Sequence, residues 1–294
     1  ISPDGLADFS PYNRINQNGP VDMGWRVTAQ GYNLNRDFMK LDTPEIKAFV
    51  EMFNKWEPDF FFDTHATNGA DYQYVSTYMI EDNSMYDRSI GLWLETVWEP
   101  SIVSTMESLN TPVCRYITFS HWGNPTTPLL QHSSSPMFSQ AYAASRNCPA
   151  VLLETHMLKP YKDRVISTYN IVLETMRLLR DDKTAFIEML TEAKEHDRQL
   201  KSLPVNYELN YYDTSFVDFL GYEFHYEKSE ITGGDYVVYD RTKPIVKRQA
   251  VMKTNMPTKF LPVPKQYIIP VQYDKVIDIV KRHGFPMTFL EDER

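Results

Sequence analysis

A chain of 294 residues with 42 % hydrophobic and 14 % aromatic content holds enough apolar material for one large domain or two of ordinary size. A net charge of -9 excludes a broad basic face, and with it nucleic acid or an anionic membrane as the expected partner. No apolar run approaches the length that crosses a bilayer, and the stretch Ile1-Ser2-Pro3-Asp4-Gly5 carries neither a basic leader nor an apolar signal core.

Taken in order, residues 1 to 32 are loop-rich, with turns marked by Pro3-Asp4-Gly5, Asn18-Gly19-Pro20 and Gln30-Gly31. Thr43-Pro44-Glu45 reads as a helix start, and Ile46, Phe49, Val50 and Phe53 follow at helical spacing. After Pro58 the run Asp59 to Thr64 predicts a buried strand. A helix is expected over 85–109, ended or kinked at Pro100, and a strand over Val113 to Phe119. The polar, Pro-rich stretch from His121 to Ser135 reads as a long loop. Ala150 to Leu153 is the next strand.

Val165, Tyr169, Val172, Met176 and Leu179 fall on one face of a helix, and a second helix is expected over 185–200. Helix alternating with apolar strand predicts an α/β layer structure over residues 1–203. The texture then changes. Short β-like runs at 222–226, 236–239 and 245–251 predict a small β-rich module over 204–294, closed by a helix from Asp274 to Arg282 and its stop at Gly284. Cys114 and Cys148 form no Cys-x-x-Cys pair, and each is expected to be unpaired and buried.

Two strands end in residues able to do chemistry. Phe60-Phe61-Phe62-Asp63-Thr64-His65 places Asp63 and His65 on one face, which suits either a metal-bound imidazole with its supporting carboxylate or a hydrogen-bonded core histidine. Ala150-Val151-Leu152-Leu153-Glu154 delivers a carboxylate from a buried run. Such a group either moves protons near neutral pH or forms a salt bridge, for which Lys159, Lys162 and Arg164 are near in sequence. Asn35-Arg36 joins an amide to a guanidinium and can grip a carboxylate, or can be a surface turn paired with Asp37. No phosphate-binding glycine loop and no Gly-x-Ser-x-Gly elbow occur.

In combination, Pro3-Asp4-Gly5, Arg14-Ile15-Asn16, Asn33-Leu34-Asn35-Arg36-Asp37-Phe38, Asp63-Thr64-His65 and Leu153-Glu154 stand in the order of the signature segments of the zinc metallocarboxypeptidase family, which this chain resembles over roughly its first two-thirds. The resemblance implies a mixed-sheet carboxypeptidase-like α/β domain that releases C-terminal residues from peptides with one zinc ion. It implies that Asn35 and Arg36 bind the substrate carboxylate, that His65 is a zinc ligand, and that Glu154 is the general base. Arg14 is implied to polarise the scissile carbonyl, with Arg26 as its competitor, and Tyr142 to cap the substrate.

The family's other two zinc ligands come from a His-x-x-Glu motif ahead of Pro-Asp-Gly, and none of the seven histidines has a glutamate three residues on. The expectation is therefore a C-terminal fragment with an incomplete zinc site, inactive alone, from a parent whose compartment stays open between periplasmic and secreted. The expected partner is a peptide or acyl-amino acid with a free carboxylate. Two alternatives remain, an acyl-amino-acid amidohydrolase on the same fold and a non-catalytic carboxylate- or peptide-binding domain.

Overall fold

The computed structural model describes residues 2–67, 69–81 and 85–290. Helix α1 (Pro3–Ala7) is a single turn capped by Ser2, and α2 (Pro44–Trp56) follows a long loop. Thr43 caps α2 as its sequence indicates: its hydroxyl accepts from Ile46 N, and Pro44 fills the first turn, where no N–H is needed. Ile46, Val50 and Phe53 then pack on Phe38, Tyr142 and Cys148. Strands β1 (Phe61–Thr67) and β2 (Ser76–Met79) come next.

The helix expected over 85–109 is present in three pieces: α3 (Arg88–Trp93), a wide π turn over Leu94–Trp98, and α4 (Glu99–Ser108). Pro100 sits in the first turn of α4, and the wider turn before it makes room for a ring that would strike the carbonyl four residues back. Strand β3 (Val113–Arg115) is shorter than the expected 113–119. Its continuation leaves the sheet to meet β4 (Leu129–His132), where Phe119 bridges Leu129 and Leu130 N donates to Thr118 O.

The chain continues through α5 (Ser139–Ala144), β5 (Ala150–His156), α6 (Tyr161–Asp181) and α7 (Lys183–Asp197), then β6 (Ser202–Lys228), β7 (Asp235–Pro262) and α8 (Asp274–Arg282). The first sheet has the order β1-β5-β2-β3, with β1 parallel and β2 antiparallel to β5. The second has the order β4-β7-β6, with β4 parallel and β6 antiparallel to β7. The fold is thus mixed α/β with two mixed sheets. Among the described residues no helix is long and apolar enough to cross a membrane.

The core lies between the first sheet and its helices, where Val151 and Leu153 meet Ile90, Trp98 and Ile171. Helix α6 buries its expected apolar stripe only in part: Leu179 packs against the core and Val172 is half-buried. Tyr169 and Met176 are each 63 % exposed, while Ser167, Ile171 and Thr175 are buried. The reason is close approach: Ser167 Oγ lies 2.7 Å from Ser76 Oγ of β2 and Trp98 Nε1 of the π turn donates to Thr175 Oγ1 at 2.9 Å, so small hydroxylated residues face the sheet and its neighbouring helix with their polar atoms matched.

The short β runs of the C-terminal part merge into one long hairpin, and residue 203 falls at the second residue of β6. That hairpin shares a sheet with β4, and Phe219 and Val251 share a hydrophobic cluster with Tyr72, Tyr74 and Leu129. Helix α8 returns to α2 through Asn54 Nδ2 donating to Arg282 O at 2.7 Å and an Arg282–Glu51 ion pair at 2.8 Å. Both cysteines are free thiols, Cys148 is buried, and burial pushes its thiol up to about 12.

Asp37 fixes the turn between Asn35-Arg36 and α2. It is 3 % exposed, and its carboxylate accepts from Asp42 N at 2.9 Å, Thr43 N at 2.8 Å and Thr43 Oγ1 at 2.7 Å. Replacing Asp37 by Asn turns one acceptor oxygen into a donor facing another donor. Asp37→Asn is expected to lower unfolding stability by about 1–3 kcal/mol, read as an earlier urea midpoint with unchanged slope.

Candidate active site

Strands β1 and β5 pair in a register that sets His65 beside Glu154 and Asp63 beside Leu152. Thr77 of β2 is the next partner across from Glu154, and Cys114 of β3 lies opposite Thr77. Side chains directly across neighbouring strands share a face, so His65, Glu154, Thr77 and Cys114 form one row. Asp63, two residues before His65, shares that face.

His65 Nε2 lies 2.7 Å from Asp63 Oδ2. A carboxylate only accepts, so Nε2 carries the proton and donates. The Asn35 Nδ2 contact to the same nitrogen, at 3.4 Å, is then not a hydrogen bond, and Nδ1 holds the imidazole lone pair without a partner among the described residues. Ser139 Oγ also donates to Asp63 Oδ2, and Ser139 N donates to Asn35 Oδ1 at 2.8 Å. Burial pushes the Asp63 carboxyl upward, but bonds from His65 and Ser139 outweigh it and hold the group below its ordinary value. Burial likewise pushes His65 down, and Asp63 and Glu154 together more than reverse it.

Glu154 is pushed up to about 7, first by burial, with Asp63 adding and His65, Arg26 and Arg14 opposing. Its Oε2 is enclosed and has no hydrogen-bond partner among the described residues. The salt-bridge alternative does not hold. Lys159 lies 3.6 Å from Asp71 instead, and Arg164 donates to Asn18 O.

The N-terminal loops bring arginines to this carboxylate. A Cβ on Gly5 would stand 2.3 Å from Trp25 O, so only glycine lets α1 lie against the segment at 24–25, where Trp25 N donates to Gly5 O at 2.8 Å. Asp4 Oδ2 accepts from Ala29 N at 2.8 Å, and Asn13 Nδ2 donates to Asp8 O and Met23 O. Asn18 N donates to Met157 O at 2.8 Å, which fastens the Arg14 loop to the exit of β5.

As a result Arg14 and Arg26 both act electrostatically on Glu154, and Arg26 acts on Arg14, Arg36 and His65 as well. Arg14 has φ +52°, a left-handed conformation that costs a non-glycine residue energy and recurs at functional sites. Burial and the neighbouring Arg26 depress Arg14 and Arg36, with Glu154 partly offsetting the effect on Arg14. The Arg36 guanidinium lies 4.3 Å over the Phe138 ring. None of the three arginines makes an ion pair among the described residues.

Of the residues expected from sequence, Glu154, His65, Arg14 and Arg36 gather here, with Asn35 beside them. Asn35 spends its amide oxygen on Ser139 N, so only its Nδ2 is left for a ligand. Tyr142 is placed elsewhere, which corrects its expected role as a cap: it is 3 % exposed, packs between Phe38 and Phe53, and bonds to His283 Nδ1 at 3.1 Å. Two members were missed, Ser139 and the central placement of Arg26. Ser139 opens α5 with no local signal, and Arg26 arrives through the Gly5–Trp25 contact, which only the folded chain shows.

A zinc site of the expected kind takes three protein ligands. His65 suits one, since Asp63 holds Nε2 and leaves Nδ1 free to ligate. Among the described residues, however, no three His, Cys, Asp or Glu side chains converge as a metal-binding group, so the donor set falls short of zinc.

No family model and no curated protein matches the chain. Among solved structures, a metallo-carboxypeptidase from Burkholderia cenocepacia is similar at 17 % identity and a TM-score of 0.38, over 54 % of this chain and 42 % of that one. At that score the likeness assigns neither fold nor function.

Because the Glu154 carboxyl is raised from 4.5 to about 7, the folded chain keeps a proton there that the unfolded chain loses. Stability therefore falls as pH rises from about 4.5 through about 7, by about 3 kcal/mol if the group acts alone. Glu154→Gln is expected to remove that loss, stabilising the protein at pH 8 and changing little at pH 4 in paired thermal melts.

Proposed function

We propose that this chain carries the substrate-anchoring and proton-transfer side of a metallocarboxypeptidase-type hydrolase site, for peptides or acyl-amino acids with a free carboxylate. The observation that carries the reading is Glu154: an enclosed, unpartnered carboxyl raised to about 7, beside His65 and within the field of Arg14 and Arg26. A carboxyl that titrates near neutrality can accept a proton from attacking water and return it to the leaving amine. An arginine with no ion-pair partner among the described residues can offer its guanidinium to a terminal carboxylate, and Arg36 lies over the Phe138 ring in that state, with Nη1 also donating to Asn35 O.

In this reading Asn35 Nδ2 adds a neutral donor beside Arg36. Arg14 and Arg26 stand on the Glu154 side, where a cation stabilises the oxyanion that forms as the carbonyl is attacked. Zinc, in enzymes of this type, acidifies the attacking water. Among the described residues His65 is the ligand on offer, and with that donor set short of three the chain alone binds substrate without turning it over.

That shortage equally favours a second reading, a carboxylate-binding domain that performs no hydrolysis in any form. Calorimetric titration separates anchor from chance. An N-acetyl dipeptide with a free carboxylate is expected to bind, and its C-terminal amide and the Arg36→Ala variant are each expected to weaken binding by at least about tenfold. Equal affinity for acid and amide would sink the anchor. Zinc-dependent turnover by the 294-residue chain itself, abolished by a chelator, would contradict its inactivity alone.

A further inference from the structure

Between β4 and α5 the chain runs over residues 133–138 in neither helix nor strand. With Ser139, the end of this run touches the stretch Asn35 to Phe38 at three consecutive residues. Met137 O accepts from Phe38 N at 3.4 Å, the Phe138 ring lies under the Arg36 guanidinium, and Ser139 N donates to Asn35 Oδ1 at 2.8 Å. Ser139 Oγ also donates to Asp63, the support of His65.

Irregular backbone has no ladder to fix it, so its place is set by the side chains that bond to it. Glu81, two residues beyond the end of β2, is such a side chain. It is 1 % exposed, its Oε2 accepts from Ser134 N at 2.8 Å, and its Oε1 accepts from Gln140 Nε2 at 3.1 Å. Gln140 Nε2 also donates to Ser134 Oγ at 3.1 Å, which closes a triangle of Glu81, Ser134 and Gln140. The triangle ties together the two ends of a run whose middle is Met137, Phe138 and Ser139.

We infer that Glu81 is a positioning residue of the carboxylate anchor: by holding Ser134 and Gln140 it sets the Phe138 ring and the Ser139 amide, and through them Arg36 and Asn35. The inference rests on the reading of Arg36 and Asn35 as that anchor. A binding group needs support of this kind, because a displacement of about 1 Å can cost about a hundredfold in what the group does. What position 81 must supply is matched hydrogen bonding. Leucine there leaves two enclosed donors without an acceptor. Glutamine still offers Oε1 to Ser134 N, and its Nε2 is met by Gln140 once that amide turns over.

Calorimetric titration of each variant with an N-acetyl dipeptide and with its C-terminal amide is the test, read as the ratio of the two affinities. Glu81→Leu is expected to cut the preference for the acid by at least about fivefold, and Glu81→Gln to recover it to within about twofold of the unsubstituted chain. Gln140→Met removes one bond at similar volume and is expected to cut the ratio by about twofold or more, which keeps the test open if Glu81→Leu does not fold. A purely structural Glu81 would weaken acid and amide alike and leave the ratio unchanged, and that result overturns the inference. So does a Glu81→Gln variant that loses as much as Glu81→Leu. Equal affinity of the unsubstituted chain for acid and amide would instead sink the anchor itself, and this inference with it.

Discussion

The register between β1 and β5 is the constraint on which the site depends. A slip of one residue would carry His65 and Asp63 to the opposite face of the sheet, away from Glu154. What holds the register is burial: Ala150, Val151, Leu152 and Leu153 are each at most 5 % exposed, so the strand that delivers Glu154 is clamped on both faces. The carboxylate is thus carried into an apolar setting by the residues that precede it. Its raised affinity for a proton follows from that setting and not from a hydrogen bond.

Opposing that burial are the arginines, and they reach Glu154 by a route the sheet does not control. Gly5, Asp4 and Asn13 lock the N-terminal loops into one another, and Asn18 ties them to the residues that leave β5. Because these cations have no carboxylate partner among the described residues, they leave a positive field over the end of the strand. Asp63 and Glu154 offset part of it. On the far side, Ser139 donates to Asp63 and to Asn35 Oδ1, and Asp63 in turn holds the His65 imidazole in one tautomer.

Much of this was legible in the sequence where the signal is local. The Thr43-Pro44 cap, the apolar run ending at Glu154 and the Asp63/His65 alternation each encode their structure within a few residues. What was not legible depends on distant contacts. Tyr142 reads as an ordinary candidate on a short helix, and only the arrival of α8 with His283 shows it to be a core residue. The α6 stripe reads as a buried face, yet Ser167 and Thr175 take buried positions because hydroxyls matched by Ser76 of the sheet and Trp98 of the π turn permit closer packing than Tyr169 or Met176 would. The separate β runs near the C-terminus join into one hairpin because β-bulges absorb the irregular residues between them, which alternation alone does not reveal.

The central claim is that Glu154 is a proton carrier poised near neutrality and not a structural anion. A carbon-detected NMR titration of its side-chain carboxyl, assigned by comparison with Glu154→Gln, tests this directly. A midpoint of about 7 is predicted. A midpoint at the ordinary carboxylate value, about 4.5, would show that solvent or an ion pair reaches the group and would contradict the assignment of Glu154 as the base.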